Sequence, residues 1–168
     1  FSYFLKKAME NGFTEPDPRE DLSGQDVARK LLILARELDL ENELEEVAVG
    51  NLIPEKLLKL SKQEFLKSLP EMDNYYETIR ANLKQSEVLR YVADLSGDLH
   101  KKKGILSVKL VTVSVKSSLG NLTESDSIIE IFTESYGENP ITIIGAGAGA
   151  NVTARGVFGD LMRIANTK

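Results

Sequence analysis

Asp26 and Lys30 stand four residues apart in a segment that also carries Glu15, Asp17, Glu20 and Asp21. An acid and a base at that spacing share one side of a helix. Two prolines, Pro16 and Pro18, precede them. Proline fixes φ and pushes the residue before it towards extended backbone. Residues 14–17 are therefore expected to form a rigid, non-helical arm that holds Glu15 and Asp17 in defined directions. A stiff acidic loop leading into a helix with a half-buried acid–base pair suits a small polar substrate. A plainer reading uses the same residues. An Asp–Lys pair at this spacing is usually a surface ion pair worth a few tenths of a kcal/mol, and acids ahead of a helix complement its dipole.

The helix that must carry the pair opens at Ser23 or Gly24 and runs to about Leu38, with Val27, Leu31, Leu34 and Leu38 as its apolar stripe. On a helical wheel Asp26 and Lys30 then sit beside that stripe. An acidic connector follows, from Asp39 to Glu46, and Val47 to Val49 is a short strand candidate. Ser61 and Glu64 form a capping-box signature for a helix to Leu69. Pro70 is expected to interrupt it before a second helix from Met72 to Lys84, with Tyr76, Ile79 and Leu83 at buried spacing. Tyr75 and Tyr76 together are read as core and rim packing.

From Glu87 the period changes to alternation, with Leu89, Tyr91 and Ala93 on one face and Val88, Arg90 and Val92 on the other. Ser96-Gly-Asp98 is expected to turn the chain into a strand from Ile105 to Val115, a β-hairpin. His100 and Lys101 to Lys103 lie at the connection and read as a solvated loop tip. Residues 127–134 and 141–144 supply two more strands. Helices followed by an antiparallel run indicate an α+β fold, a mainly antiparallel sheet with helices on one face.

A chain of 168 residues suits one domain with a core of its own, or one and a small remainder. At 42% hydrophobic and 28% charged it is globular in composition. A net charge of −5 argues against nucleic acid or an anionic membrane as partner. There is no signal-peptide pattern and no apolar run of spanning length, so the cytoplasm is the expected location. The absence of cysteine and the single histidine, His100, exclude cysteine zinc sites and histidine-rich metal sites in this stretch. Calcium at Asp17, Glu20 and Asp21 fits poorly, because the prolines and Gly24 do not match an EF-hand loop. Phe1, Phe4, Leu5, Ala8 and Met9 read as a helix already under way, as in a chain cut from something longer.

Near the other end, Gly145-Ala-Gly147-Ala-Gly149-Ala150 has the form G-x-G-x-x-A between a strand and a helix. Its glycines allow close backbone approach to a ligand, and the helix from about Asn151 offers N–H groups and a positive dipole end. The residues that follow do not hold a βαβ unit or a ribose-binding acid, so the motif alone is no Rossmann fold. A tight strand-to-helix turn is the plainer reading.

Two blocks carry a resemblance. Gly12-Phe-Thr-Glu-Pro-Asp-Pro-Arg-Glu-Asp-Leu-Ser-Gly-Gln-Asp-Val-Ala-Arg-Lys30 resembles the substrate-binding segment of homoserine dehydrogenases, most of all those fused to aspartokinase. Gly145-Ala-Gly-Ala-Gly-Ala-Asn-Val-Thr-Ala-Arg-Gly-Val-Phe-Gly-Asp160 is similar to that family's C-terminal end. Glu20 departs mildly, standing where the family more often has a second Asp. The resemblance implies an oxidoreductase that interconverts aspartate 4-semialdehyde and homoserine with NADP or NAD. It implies Lys30 and Asp26 as catalytic residues, Lys30 donating a proton and Asp26 orienting it. Glu15 and Asp21 would bind the substrate ammonium, and Gly145, Gly147, Gly149 and Thr153 the cofactor. Residues 1–144 would form the substrate-binding and dimerising domain. Residues 145–168 would return to an absent N-terminal nucleotide-binding domain, packing on it through Val157, Leu161 and Ile164. A homodimer through the sheet, and an aspartokinase domain in the same parent chain, are further implied. The rival is a non-catalytic dimerisation or regulatory module.

Overall fold

Gly24 sets the direction of the helix on which the fold is built. Its φ of 77° lies in the left-handed region, and it caps α3 (Gln25–Glu37). The buried face of α3 consists of Ala28, Leu31, Leu32 and Ala35. These residues join Leu40, Val47, Leu106 and Val108 in one apolar cluster. Of the expected stripe, Leu31 is buried, Val27 is half-buried, and Leu34 and Leu38 are each 48% exposed. Two alanines let the helix lie close against the sheet, and that close approach rotates the bulkier Leu34 and Leu38 outward.

The computed structural model describes residues 1–123, 126–147 and 149–167. It separates into two compact units, Phe1–Val113 and a second that begins at Ser114. This division falls earlier in the chain than the glycine-rich turn. In the first unit the sheet has the order β1-β3-β2, from β1 (Ala48–Val49), β2 (Glu87–Asp98) and β3 (Lys103–Ser114). β1 runs parallel to β3, with Ala48 opposite Ser107 and Val49 opposite Val108.

Strand β2 continues through the expected turn at 96–98, and the reversal comes at 99–102, where Lys102 has φ 51°. Gly97 serves packing rather than turning. A Cβ there would lie 2.9 Å from Leu40 Cδ1, and one on Gly104 would lie 3.0 Å from the same atom. The two glycines make the slot that buries Leu40 to 2% exposure. Beside it Asn42, also buried, accepts from the Gly104 N–H at 2.8 Å and donates to its carbonyl at 2.9 Å. The acidic connector and the lysine-rich turn are partners. Lys102 reaches Glu41 at 3.3 Å and Lys103 reaches Glu46 at 3.1 Å.

A second cluster gathers Leu5, Ile53, Leu57, Phe65, Leu69 and Met72. They come from α1 (Ser2–Glu10), the 52–53 bend, α4 (Glu55–Leu58), α5 (Lys62–Lys67) and α6 (Leu69–Arg80). The capping box at Ser61 and Glu64 is formed in both directions. Pro70 sits in the first turn of α6, where its missing N–H costs nothing, so it starts the helix instead of breaking it. That helix begins and ends earlier than the 72–84 expected. Tyr76 is half-buried and donates to the Leu52 carbonyl at 2.7 Å.

In the second unit β4 (Asp126–Ile131) pairs antiparallel with β5 (Ile141–Ala146), Ile128 facing Ile144 and Ile129 facing Ile143. α7 (Ala150–Asn166) follows, with Val157, Phe158, Leu161 and Ile164 exposed. The fold class is α+β as expected, with the described strands in two small sheets, one mixed and one antiparallel.

Candidate active site

The arm is built as the prolines dictate. Residues 11–17 contain no helix, and α2 (Pro18–Leu22) starts at Pro18. Asp17 caps it, accepting the Arg19 N–H at 3.1 Å. Its carboxylate also receives Arg19 Nε at 3.0 Å and Nη2 at 2.6 Å. Those hydrogen bonds hold the Asp17 carboxyl below the usual carboxylate range. An acid neutralised in this way is not offered to a cation, which removes it from the calcium set considered above.

Asp21 turns back on the arm. Its Oδ2 accepts the Glu15 backbone N–H at 3.0 Å, so the two expected ammonium-binding acids are directly linked. Both are exposed. Past them the Ser23 hydroxyl donates to the Glu20 carbonyl at 2.6 Å, and Gly24 swings the chain into α3.

On α3, Lys30 Nζ lies 2.8 Å from Asp26 Oδ2. The side chains are 71% and 64% exposed, so the pair is open and not half-buried. The shift of the buried stripe explains the difference. With Ala28, Leu31, Leu32 and Ala35 inward, positions 26 and 30 fall on the opposite side of the helix. Among the described residues no hydrogen bond or ion pair runs between the Glu15–Asp21 pair and the Asp26–Lys30 pair. They flank the same bend at Ser23 and Gly24.

Two supporting residues escaped the sequence reading. Arg19 joins the arm to the second cluster, donating from Nη1 to the Leu60 carbonyl, with its guanidinium 5.7 Å from the centre of the Phe65 ring. Its signal was the Asp-Pro-Arg order, an N-cap followed by proline at the first helical position. Tyr91 of β2 donates to the Gly50 carbonyl at 2.7 Å and fills the space over Gly24. No local pattern announces that contact.

The glycine-rich turn belongs to the second unit. Gly145 ends up in β5 opposite Ser127, exposed, with nothing within 4 Å of where a Cβ would stand. Gly147 is also exposed, and Ala148 lies outside the described residues. Gly149 caps α7 with φ 129° and accepts at 3.1 Å from the N–H groups of Val152 and Thr153. The Thr153 hydroxyl points back to the same carbonyl at 3.3 Å. Asn151, Val152, Ala154, Arg155 and Phe158 line an open depression on the helix. Among the described residues no group of three His, Cys, Asp or Glu side chains is arranged to hold a metal ion.

The family model described as homoserine dehydrogenase matches residues 1–162. The chain is 44% identical over 167 residues to bifunctional aspartokinase/homoserine dehydrogenase 1, chloroplastic, of Arabidopsis thaliana, covering 98% of this chain and 18% of the relative. It is 42% identical over 167 residues to homoserine dehydrogenase of Schizosaccharomyces pombe, covering 98% and 43% respectively. A solved Candida auris protein described as of unknown function superposes with a TM-score of 0.80 at 40% identity, over 99% of this chain and 46% of that one. S. aureus homoserine dehydrogenase at pH 6.5 shares the fold, with a TM-score of 0.65 at 20% identity over 97% of this chain and 36% of that one. The chain thus spans less than half the length of these relatives.

Proposed function

The chain belongs to the homoserine dehydrogenase family, and we propose that it is the substrate-binding and catalytic portion of an enzyme that interconverts aspartate 4-semialdehyde and homoserine. The observation that carries the reading is the Asp26–Lys30 ion pair, held at 2.8 Å on the open side of α3 just past the Glu15–Asp21 link. An exposed pair of this kind adds little to stability. Its value lies in keeping an ammonium aimed.

The substrate is a zwitterion, and its ammonium needs carboxylates. Asp21 spends one oxygen on the Glu15 N–H, which fixes the arm, and presents the other with the Glu15 side chain. When the aldehyde is reduced, its oxygen gains negative charge and takes a proton. Lys30 supplies it, directly or through one water, while Asp26 holds the amine in place. In the reverse direction Lys30 takes the proton from the homoserine hydroxyl.

NADP or NAD, when bound, supplies or accepts the hydride. This chain suits one end of such a cofactor: Gly145, Gly147, Gly149 and Thr153 offer bare backbone and the first turn of α7. Among the described residues there is no βαβ unit to hold the remainder. The rest of the cofactor site would belong to a nucleotide-binding domain N-terminal to residues 1–144. Residues 145–168 would return to it, and the exposed apolar side of α7 is the surface they would present. The bifunctional relatives support an aspartokinase domain in the same parent chain. A cytoplasmic homodimer completes the reading. No described helix is long and apolar enough to cross a membrane.

The test is the full-length protein assayed for homoserine-dependent reduction of NAD or NADP. Turnover supports the reading, and a folded protein with none refutes it. The rival, a non-catalytic dimerisation module, is favoured by one feature, the exposed isoleucines of β4 and β5. It requires self-association without turnover.

A further inference from the structure

Arg19 is placed unlike the other cations near the site. Its side chain is 22% exposed, against 71% for Lys30. One face of its guanidinium fork is taken by both oxygens of Asp17, at 3.0 and 3.2 Å from Nε and 2.6 Å from Nη2. Nη1 donates to the Leu60 carbonyl, forty-one positions along the chain, at the turn between α4 and α5. The ring of Phe65, fully buried in the second cluster, lies 5.7 Å away.

Apart from Arg19, α2 is held by Leu22, which packs against the second cluster. α2 is five residues long, too short to be stable alone. Pro18 is buried, and the Leu22 carbonyl accepts the Leu52 N–H at 3.1 Å at the far end. At the near end Arg19 adds a polar connection to the core beside the buried Pro18. The contacts then run in series. Leu60 and Phe65 fix Arg19, Arg19 fixes Asp17, Asp17 caps α2, and α2 carries Asp21, whose carboxylate holds the Glu15 N–H.

We propose that Arg19 is a positioning residue for ammonium binding, clamping the acidic arm to the α4–α5 turn so that Glu15 and Asp21 meet the substrate in one fixed geometry. The proposal rests on the homoserine dehydrogenase reading for its substrate, and on the contacts alone for the clamp. Lysine cannot replace arginine here. An ammonium is a point charge, whereas this site uses a planar fork to satisfy a carboxylate and a carbonyl at once.

The experiment uses the full-length enzyme with Arg19→Lys and, separately, Asp17→Asn, which keeps a capping side chain. Two quantities are read: steady-state kinetics with homoserine, and hydrogen exchange by mass spectrometry over peptides 13–22 and 62–80. The expected result is a rise in the homoserine KM of about 10-fold, the scale of one lost charge-assisted hydrogen bond. The kcat and the cofactor KM should stay near the parent values. Exchange should quicken over 13–22 and stay unchanged over 62–80. An unchanged homoserine KM would overturn the positioning role. So would exchange that quickens equally over both peptides with both KM values rising, because that describes a general loss of packing. If the parent protein does not turn over homoserine, the functional reading fails by itself. The exchange pattern still decides the clamp, which is overturned by unchanged protection over 13–22 in both variants.

Discussion

The Tyr91 hydroxyl occupies the place where a side chain on Gly24 would have to stand. Gly24 has a left-handed φ of 77°, and Tyr91 is fixed over it by its hydrogen bond to the Gly50 carbonyl at 2.7 Å. Helix α3 therefore enters from a single direction, and with it the first turn that carries Asp26.

Gly24→Ala meets both obstacles. The left-handed backbone costs an alanine about 1–2 kcal/mol, and the displaced tyrosine gives up a hydrogen bond worth about 1 kcal/mol. Urea unfolding should show a loss of about 2–3 kcal/mol. Tyr91→Phe removes the hydroxyl and should recover part of that loss. The double variant should then be more stable than the sum of the single effects predicts. Strict additivity would mean that the two residues do not touch.

The buried face of α3 makes a second prediction. Leu34→Ala should cost under about 0.5 kcal/mol, as an exposed site does, whereas Ala28→Leu or Ala35→Leu should cost about 1–3 kcal/mol by overpacking against the sheet. Thermal unfolding of the three variants checks this. The opposite ranking would restore the leucine stripe to the core.

The same helix shows what the sequence made legible and what it did not. Its limits and the proline-stiffened arm follow from local chemistry, so they could be read directly. Its rotation could not. Leu34 and Leu38 look like better core residues than Ala28 and Ala35 until the sheet's distance is known, and that distance is tertiary. Gly97 posed the same problem: beside Ser96 and Asp98 it reads as a turn, yet its smallness serves Leu40. Of the candidate site, the acids and Lys30 stood out by type and spacing, and the family resemblance supplied the roles proposed for them. Arg19 and Tyr91 were not, because their partners Leu60 and Gly50 lie forty-one positions away in each case.

Acid should weaken the arm through Asp17. Its carboxyl titrates below the usual value because Arg19 hydrogen-bonds the charged form. A group whose folded pKa is depressed contributes stability above its unfolded pKa, about 3.9 for Asp. That contribution is lost as pH falls through the lower folded value. Stability followed by denaturant from pH 5 to pH 3 should fall less steeply in Asp17→Asn than in the parent. Identical slopes would show that the pair does not form in solution.

Self-association is expected from the sheets. Ile105 of β3 is 77% exposed, and Ile129, Ile131, Ile141, Ile143 and Ile144 of β4 and β5 are exposed as well. A lone two-stranded ribbon is marginal in water without cover. Sedimentation of the purified chain should give the mass of two copies, and Ile143→Lys should lower it. A monomer at every concentration would exclude the proposed homodimer.

Whether Lys30 moves a proton is decided by Lys30→Met in the full-length enzyme. The methionine keeps most of the stem, and the pair it breaks is exposed, so stability should change by less than about 1 kcal/mol. The kcat for homoserine oxidation should fall by about 10²–10⁴-fold, the usual range for general acid–base catalysis. Asp26→Asn should lower it less. A folded Lys30→Met enzyme with near-parental kcat would contradict proton transfer by Lys30 and leave Asp26 and Lys30 as an ordinary helix ion pair.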